Sequence, residues 1–251
     1  MSHFRSLFSS LKFNPALGFF LIFFFGIPRF AAVLWANQAG DYRYVSLIFV
    51  AMWILPLILL NRSGRHEIGL KRPAKNLWIY LALPLGILFS AFVWFAGERL
   101  YGAEISNWYV YISQSYVFPT APADAQEYFM YFLIFAGTSM VFSPIGEEIL
   151  YRGMIHRCFS EKYGVKKASY IDNWAFALTH LAHFGIIFNA GQWQVLWIPA
   201  LIWVALMSRA ARIFSGCRNG SGSVWTAVIA HAGFNLAMTY FIFYHIMTPV
   251  S

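Results

Sequence analysis

A handful of ionisable side chains sit inside otherwise apolar stretches of this sequence: Arg29, Glu147, Glu148, His180, His183, His231 and His245, with Asn235 as a neutral companion. Charges in an apolar setting are costly, turn toward the interior of a helix bundle and mark functional sites by default. A carboxylate beside imidazoles can move protons, activate a water or ligate a metal.

Helical phasing sorts these groups. Residues four apart share a helix face, whereas neighbours diverge by about 100°. In the run Ser143-Pro144-Ile145-Gly146-Glu147-Glu148-Ile149-Leu150-Tyr151-Arg152-Gly153, Glu148 and Arg152 therefore stack as an i, i+4 ion pair. Glu147 points into another sector and is left as the free, reactive carboxylate. The bland alternative is a pair of helix-end glutamates balancing Arg152 and nearby lysines. Phe176 and His180 are also i, i+4, so the ring packs beneath the imidazole. His231 and Asn235 present an imidazole and a carboxamide from a third helix. Three polar faces on separate apolar helices need a shared, mutually satisfying interior, and one cavity is expected to collect them. Arg29 is read as structural, with no partner assigned. His183 is read as a packing residue, with a spare ligand as its alternative, and His245 reaches water and takes no role.

The elements that must carry these residues follow from composition. Of 251 residues, 59% are hydrophobic, 20% aromatic and 11% charged. Soluble domains carry about 25% charged residues, so a water-soluble globule is excluded. Crossing a bilayer takes about 20 mostly apolar residues. The expected spans are 15–36, 44–61, 77–97, 127–149, 168–189, 195–208 with some continuation, and 223–246, the fourth running on as helix to residue 159. Pro28, Pro56, Pro84 and Pro144 fall inside spans, where such kinks are tolerated. The first run is too long for the core of a signal peptide and lacks a cleavage site, so it is read as a retained span. The expected fold is all-α: a polytopic transmembrane bundle of about seven spans in a single domain, 1–251, with its motifs in 127–246.

The net charge of +8 does not point to nucleic acid, because the basic residues sit in short clusters between apolar runs. Arg5 and Lys12, the group from Arg62 to Lys75, the group from Arg152 to Lys167, and Arg209, Arg212 and Arg218 fall on alternate connections. Together they are fifteen of the 18 Lys and Arg; only Arg43 and Arg99 lie on the others. Under the positive-inside rule this places the amino terminus in the cytoplasm. Segment 98–126 then lies outside, with a short interfacial helix expected around Trp108 to Tyr111. Cys158 and Cys217 fall on the cytoplasmic side and are read as reduced, incidental thiols.

Glu147-Glu148-x-x-x-Arg152, Phe176-x-x-x-His180 and His231-x-x-x-Asn235, in that order, resemble the motifs of the CPBP intramembrane proteases. That group includes the CAAX prenyl endopeptidases of the Ras-converting type and bacterial Abi-type bacteriocin-immunity proteins. The Leu70-Lys71-Arg72-Pro73 turn is similar too, and the resemblance spans about residues 60 to 240. It implies an integral membrane endopeptidase, here in the cytoplasmic membrane of a prokaryote, acting on a membrane-associated peptide or protein. On the family's pattern, Glu147 and His180 activate a water while His231 and Asn235 stabilise the oxyanion. Glu148, Arg152 and Phe176 give structural support. Helix arithmetic puts Glu147 and His231 toward the cytoplasmic half, so a cytoplasm-facing cavity and substrate from that leaflet are expected.

No cofactor is preferred. The alternative is one divalent metal, zinc by ligand type, on Glu147, His180 and His231; no His-Glu-x-x-His motif occurs. This chain shows seven spans where the family has eight, which bears on the lid over the cavity. Two other functions compete: a non-catalytic peptide-binding or immunity scaffold, and a proton-coupled transporter using the same acid and imidazoles as a relay.

Overall fold

Burial in the computed structural model is inverted relative to a water-soluble protein. It describes residues 3–42 and 44–247; Arg43 lies outside the described residues. Arg29, Glu147, Glu148 and Arg152 are buried, while Phe20, Phe23, Ile27, Leu88 and Phe92 are each more than half exposed. Large apolar side chains turned outward suit a lipid solvent, and charges turned inward require partners there.

The helices follow in the order α1 (Pro15–Ala39), α2 (Val45–Leu59), a short α3 (Arg62–Glu67), α4 (Leu77–Tyr101), a short α5 (Trp108–Ser113), α6 (Ala125–Glu148), α7 (His156–Thr179), α8 (Trp197–Ser221) and α9 (Val224–Phe241). Their starts are chemically marked. Asn14 caps α1 by accepting from Leu17 N at 2.9 Å, with Pro15 at the first helical position. Asp124 caps α6 by accepting from Glu127 N, whose side chain reaches back to Ala123 N at 2.7 Å. Such caps satisfy amide groups that the helix itself leaves open.

Among the described residues, five helical runs are long and apolar enough to cross a membrane: α1, α4, the 58-residue run 125–182, α8, and α9 with the turn to Ile246. Gly164, at φ 78° and ψ 161°, breaks the longest run in two. That backbone conformation is open to glycine and strained for other residues. The shorter α2 is apolar over 15 residues. The seven segments expected from sequence map onto these five runs, α2, and the division at Gly164.

The structure also departs from expectation. The expected fifth span, 168–189, is helical only to Thr179 and closes with a single 3-10 turn, His180–Ala182. Strands β1 (Ile186–Asn189) and β2 (Gln192–Val195) then pair antiparallel as one short hairpin beside a bundle that is all-helical, as expected. Ala190 and Gly191, at φ 49° and 78°, make the two-residue turn. Positive φ at both positions is what a tight hairpin needs. The expected interfacial helix is α5, but Trp108, Tyr109 and Tyr111 are buried. Trp108 Nε1 donates to Val93 O, and Tyr109 bonds Ser90 at 2.8 Å, so α5 plugs into the bundle against α4.

Between Glu148 and His156 the helix widens into a π segment, Ile149–Ile155, all of it buried. Such segments recur at functional sites. Close packing of α4 on α9 sets the opposite wall. A Cβ on Gly86 would lie 1.9 Å from Ala230 O, and one on Gly233 would lie 2.5 Å from Leu83 O. Glycines here let two backbones approach in direct contact, as membrane helices often do. Gly86→Ala should therefore destabilise the fold by about 1–3 kcal/mol. Gly137→Ala, where a Cβ meets nothing within 4 Å, should be neutral in the same thermal-unfolding assay in detergent.

Candidate active site

Seven helices, α1, α2 and α5 to α9, contribute to the lining of a cavity of about 540 Å³ bounded by Glu147, His180, His231 and Asn235. The walls are mainly apolar and aromatic, with Phe49, Phe142, Met207 and Phe234 among them. The four candidate residues are thus brought together from α6, the end of α7, and α9.

The residue expected to be free is not. Glu147 Oε1 lies 2.6 Å from Arg29 Nη2, both side chains 1% exposed. A carboxylate held in a low-dielectric interior needs a counter-charge, and the nearest cation available comes from α1. Arg29, read from sequence as structural with no partner assigned, is a junction of the site. Its Nη1 donates to Thr179 Oγ1 at 2.5 Å, and its Nη2 approaches His180 Nε2 at 3.4 Å and His183 Nε2 at 3.3 Å. His183 therefore serves more than packing. The signal in the sequence was Arg29 itself, a lone charge deep in an apolar run.

His180 is oriented from behind. Its Nδ1 donates to Phe176 O at 2.8 Å, and the Phe176 ring lies 4.3 Å from the imidazole between centroids, as the i, i+4 spacing predicts. That assignment leaves Nε2 as an acceptor facing Arg29 and the cavity. The Phe176 ring also supports the Arg152 guanidinium, 4.5 Å from its centroid.

Glu148 does pair with Arg152, Nε to Oε2 at 3.1 Å, but its role is wider than expected. Its Oε1 accepts from His231 Nδ1 at 2.9 Å. The imidazole is stacked on Phe214 at 4.8 Å and 12°, so both its plane and its rotation are set. His231 Nε2 then faces Glu147 Oε2 at 3.9 Å. Behind Arg152 stands Asp172, Oδ1 at 3.9 Å, whose Oδ2 takes His156 Nδ1 at 2.8 Å. Asp172 and His156 were not singled out in the sequence. Both were within reach of the spacing argument, since His156 lies four residues past Arg152 and Asp172, inside the expected fifth span, lies four before Phe176.

Asn235 is already engaged: its Nδ2 donates to Ser139 O at 2.8 Å and lies 3.2 Å from Ser143 Oγ. Ser139, Ser143 and Glu147 are spaced i, i+4, i+8 on one face of α6, a polar stripe legible in the sequence and overlooked there. His245 packs against Trp94 and Phe241 at the far end of α9 and takes no part. Cys158 and Cys217 are both buried and free.

A metal bridging Glu147, His180 and His231 does not fit this arrangement. The Arg29 guanidinium occupies the space between Glu147 Oε1 and His180 Nε2, and a second cation there would meet a fixed positive charge. Among the described residues, no group of three or more His, Cys, Asp or Glu is disposed to hold a metal ion.

The Glu147–Arg29 pair and two oriented imidazoles thus stand at the wall of an apolar cavity, within a bundle of membrane-length helices. Residues 129–237 match the family model described as type II CAAX prenyl endopeptidase, Rce1-like. That segment holds all seven motif residues, from Glu147 to Asn235, and bears out the resemblance they carry. Arg29 and all of α1 to α5 lie outside it. No curated protein and no solved structure matches the chain.

Removing one partner of a buried ion pair strands the other, at a cost of about 3–5 kcal/mol. Arg29→Met should lower stability by that amount, and adding Glu147→Leu should recover most of the loss. Thermal unfolding of the three variants measures the coupling; additive losses would show that the two side chains do not depend on each other.

Proposed function

We propose that this protein is an integral membrane endopeptidase that hydrolyses a membrane-associated peptide or protein, with its amino terminus in the cytoplasm. The observation that supports this reading most directly is the pairing of Glu147 and His180 Nε2 on one nitrogen of Arg29 at the cavity wall. A carboxylate and an unprotonated imidazole nitrogen side by side are suited to hold and deprotonate one water between them.

In the proposed cycle the water oxygen bonds to the scissile carbonyl carbon and its proton passes to Glu147. The oxyanion that forms accepts hydrogen bonds from His231 Nε2, as the imidazolium, and from Asn235 Nδ2 on release from Ser143. Preorganised donors of this kind carry much of the transition-state stabilisation in acyl transfer. Collapse expels the amine, which takes the proton from Glu147. Arg29 acts as a positioning residue by holding Glu147 and His180 in register. Glu148 positions His231 through Nδ1, much as the carboxylate of a triad orients its histidine.

This reading requires no metal. Cleavage should persist in excess chelator; loss of activity that zinc restores would replace it with a zinc-dependent mechanism.

Glu147→Gln keeps the shape and removes the base. It should lower turnover by about 10²–10⁴-fold, and His231→Ala by about 10²–10³-fold. Comparative membrane proteomics of wild type and Glu147→Gln would reveal the substrate as a precursor that accumulates in the variant. An unchanged proteome, with the variant folded and equally abundant, would remove the endopeptidase reading.

A further inference from the structure

A serine or threonine inside a helix commonly spends its hydroxyl hydrogen on its own backbone, at the carbonyl three or four residues back. Several hydroxyls around the cavity do so. Thr138 Oγ1 donates to Ile134 O at 2.6 Å, Ser139 Oγ to Ala136 O at 3.0 Å and Ser115 Oγ to Ile112 O at 2.7 Å. Tyr42 Oη is committed in another way, donating to Asn37 Oδ1. All four side chains line the cavity, and their hydrogens are already spent.

Ser143 differs. Its local acceptor four residues back is Ser139 O, and that oxygen takes Asn235 Nδ2 at 2.8 Å. Asn235 Nδ2 also donates to Ser143 Oγ itself, at 3.2 Å. The carboxamide therefore acts on Ser143 twice. It occupies the carbonyl that would receive the hydroxyl hydrogen, and it fills one of the hydroxyl's lone pairs. Among the described residues the Ser143 O–H has no acceptor, and the side chain is half-buried at the cavity wall. A hydroxyl that accepts on one side donates on another, and the cavity is the side left to it.

Its position suits the chemistry at Glu147. The two residues are one turn apart on the same face of α6, a spacing that sets Cβ atoms about 5–6 Å from each other. A carbonyl attacked by a water held on Glu147 presents its oxygen within reach of a donor at that spacing. Ser143 is not placed as a nucleophile. His180 Nδ1 is bound to Phe176 O and His231 Nδ1 to Glu148. Among the described residues neither imidazole bonds Ser143, so it lacks the adjacent base that a nucleophilic serine needs.

We propose that Ser143 is a third oxyanion donor, its hydroxyl bonding the scissile carbonyl oxygen alongside His231 Nε2 and Asn235 Nδ2. This role rests on the endopeptidase reading of the site. In the resting site the Ser143 hydrogen is the one already free, so it meets the substrate carbonyl first. As charge develops, Asn235 Nδ2 keeps Ser139 O and moves its other hydrogen from Ser143 Oγ to the oxyanion. Ser143 gives up no proton and forms no covalent bond. Asn235 thereby gains a second task, as the residue that turns Ser143 toward the substrate.

The test uses purified full-length variants in detergent. The probe is the solubilised membrane fraction of cells carrying Glu147→Gln, in which uncleaved precursor accumulates, and its consumption is followed by mass spectrometry. Ser143→Ala should lower turnover by about 10²-fold with an unchanged unfolding temperature. Ser143→Thr keeps the hydroxyl and should retain activity, whereas Ser143→Val, of the same shape, should match Ser143→Ala. Thr138→Val removes a hydroxyl already spent on its own helix and should cleave as wild type does. Full activity in Ser143→Ala, or Ser143→Val as active as Ser143→Thr, overturns the donor role and leaves the endopeptidase reading intact. An acyl adduct on Ser143 after acid quenching also overturns it, in favour of a nucleophile. Precursor that Glu147→Gln consumes as fast as wild type, or membranes that accumulate none, removes the endopeptidase reading and the donor role together. If Ser143→Thr or Ser143→Val fails to fold, Ser143→Ala at an unchanged unfolding temperature decides alone.

Discussion

Two adjacent carboxylates are buried in the interior of this bundle, and neither can remain charged there without a cation or a set of donors close by. Helix geometry turns them about 100° apart, so no single partner can serve both. Glu147 takes Arg29 from α1, and Glu148 takes Arg152 from the next turn together with His231 from α9. The positions of α1, α6, α7 and α9 around the site follow from that division. Each helix contributes either a charge or the side chain that orients one.

The two halves of the pairing serve different ends. Around Glu148 the network is closed: Arg152 lies between aromatic rings, Asp172 and His156 back it, and the π segment packs without space. That rigidity fixes His231. Around Glu147 the surroundings are open, with a cavity on one side and a single guanidinium nitrogen shared with His180 on the other. A rigid half beside an accessible half suits the proposed endopeptidase, whose donors must be in place before the substrate arrives.

The same asymmetry explains where the cavity sits. Glycines at the α4–α9 contact bring those helices together and α5 fills the space against α4, so one wall is solid. The break after Thr179 and the β1–β2 hairpin carry the chain away from the site just past His180. What remains unfilled is the space between α2, α6 and α9, and its lining carries the hydroxyls of Ser139 and Ser143.

The membrane setting, the helical bundle and the helix faces that carry the four candidate residues were legible in the sequence, because they depend on local properties. Apolar length sets what can span a bilayer, and i, i+4 spacing sets which side chains share a face. Hence the Glu148–Arg152 pair and the Phe176–His180 stack were readable without a structure. What only the tertiary structure decided is which faces meet. Arg29 lies 118 positions before Glu147, and no periodicity links them; the pair exists because α1 packs beside α7 and the π segment. The second role of Glu148 and the engagement of Asn235 depend likewise on helices brought together from distant parts of the chain. Spacing along a helix fixes orientation about its own axis, whereas partners across the bundle are chosen by packing, and packing is not written in any one segment.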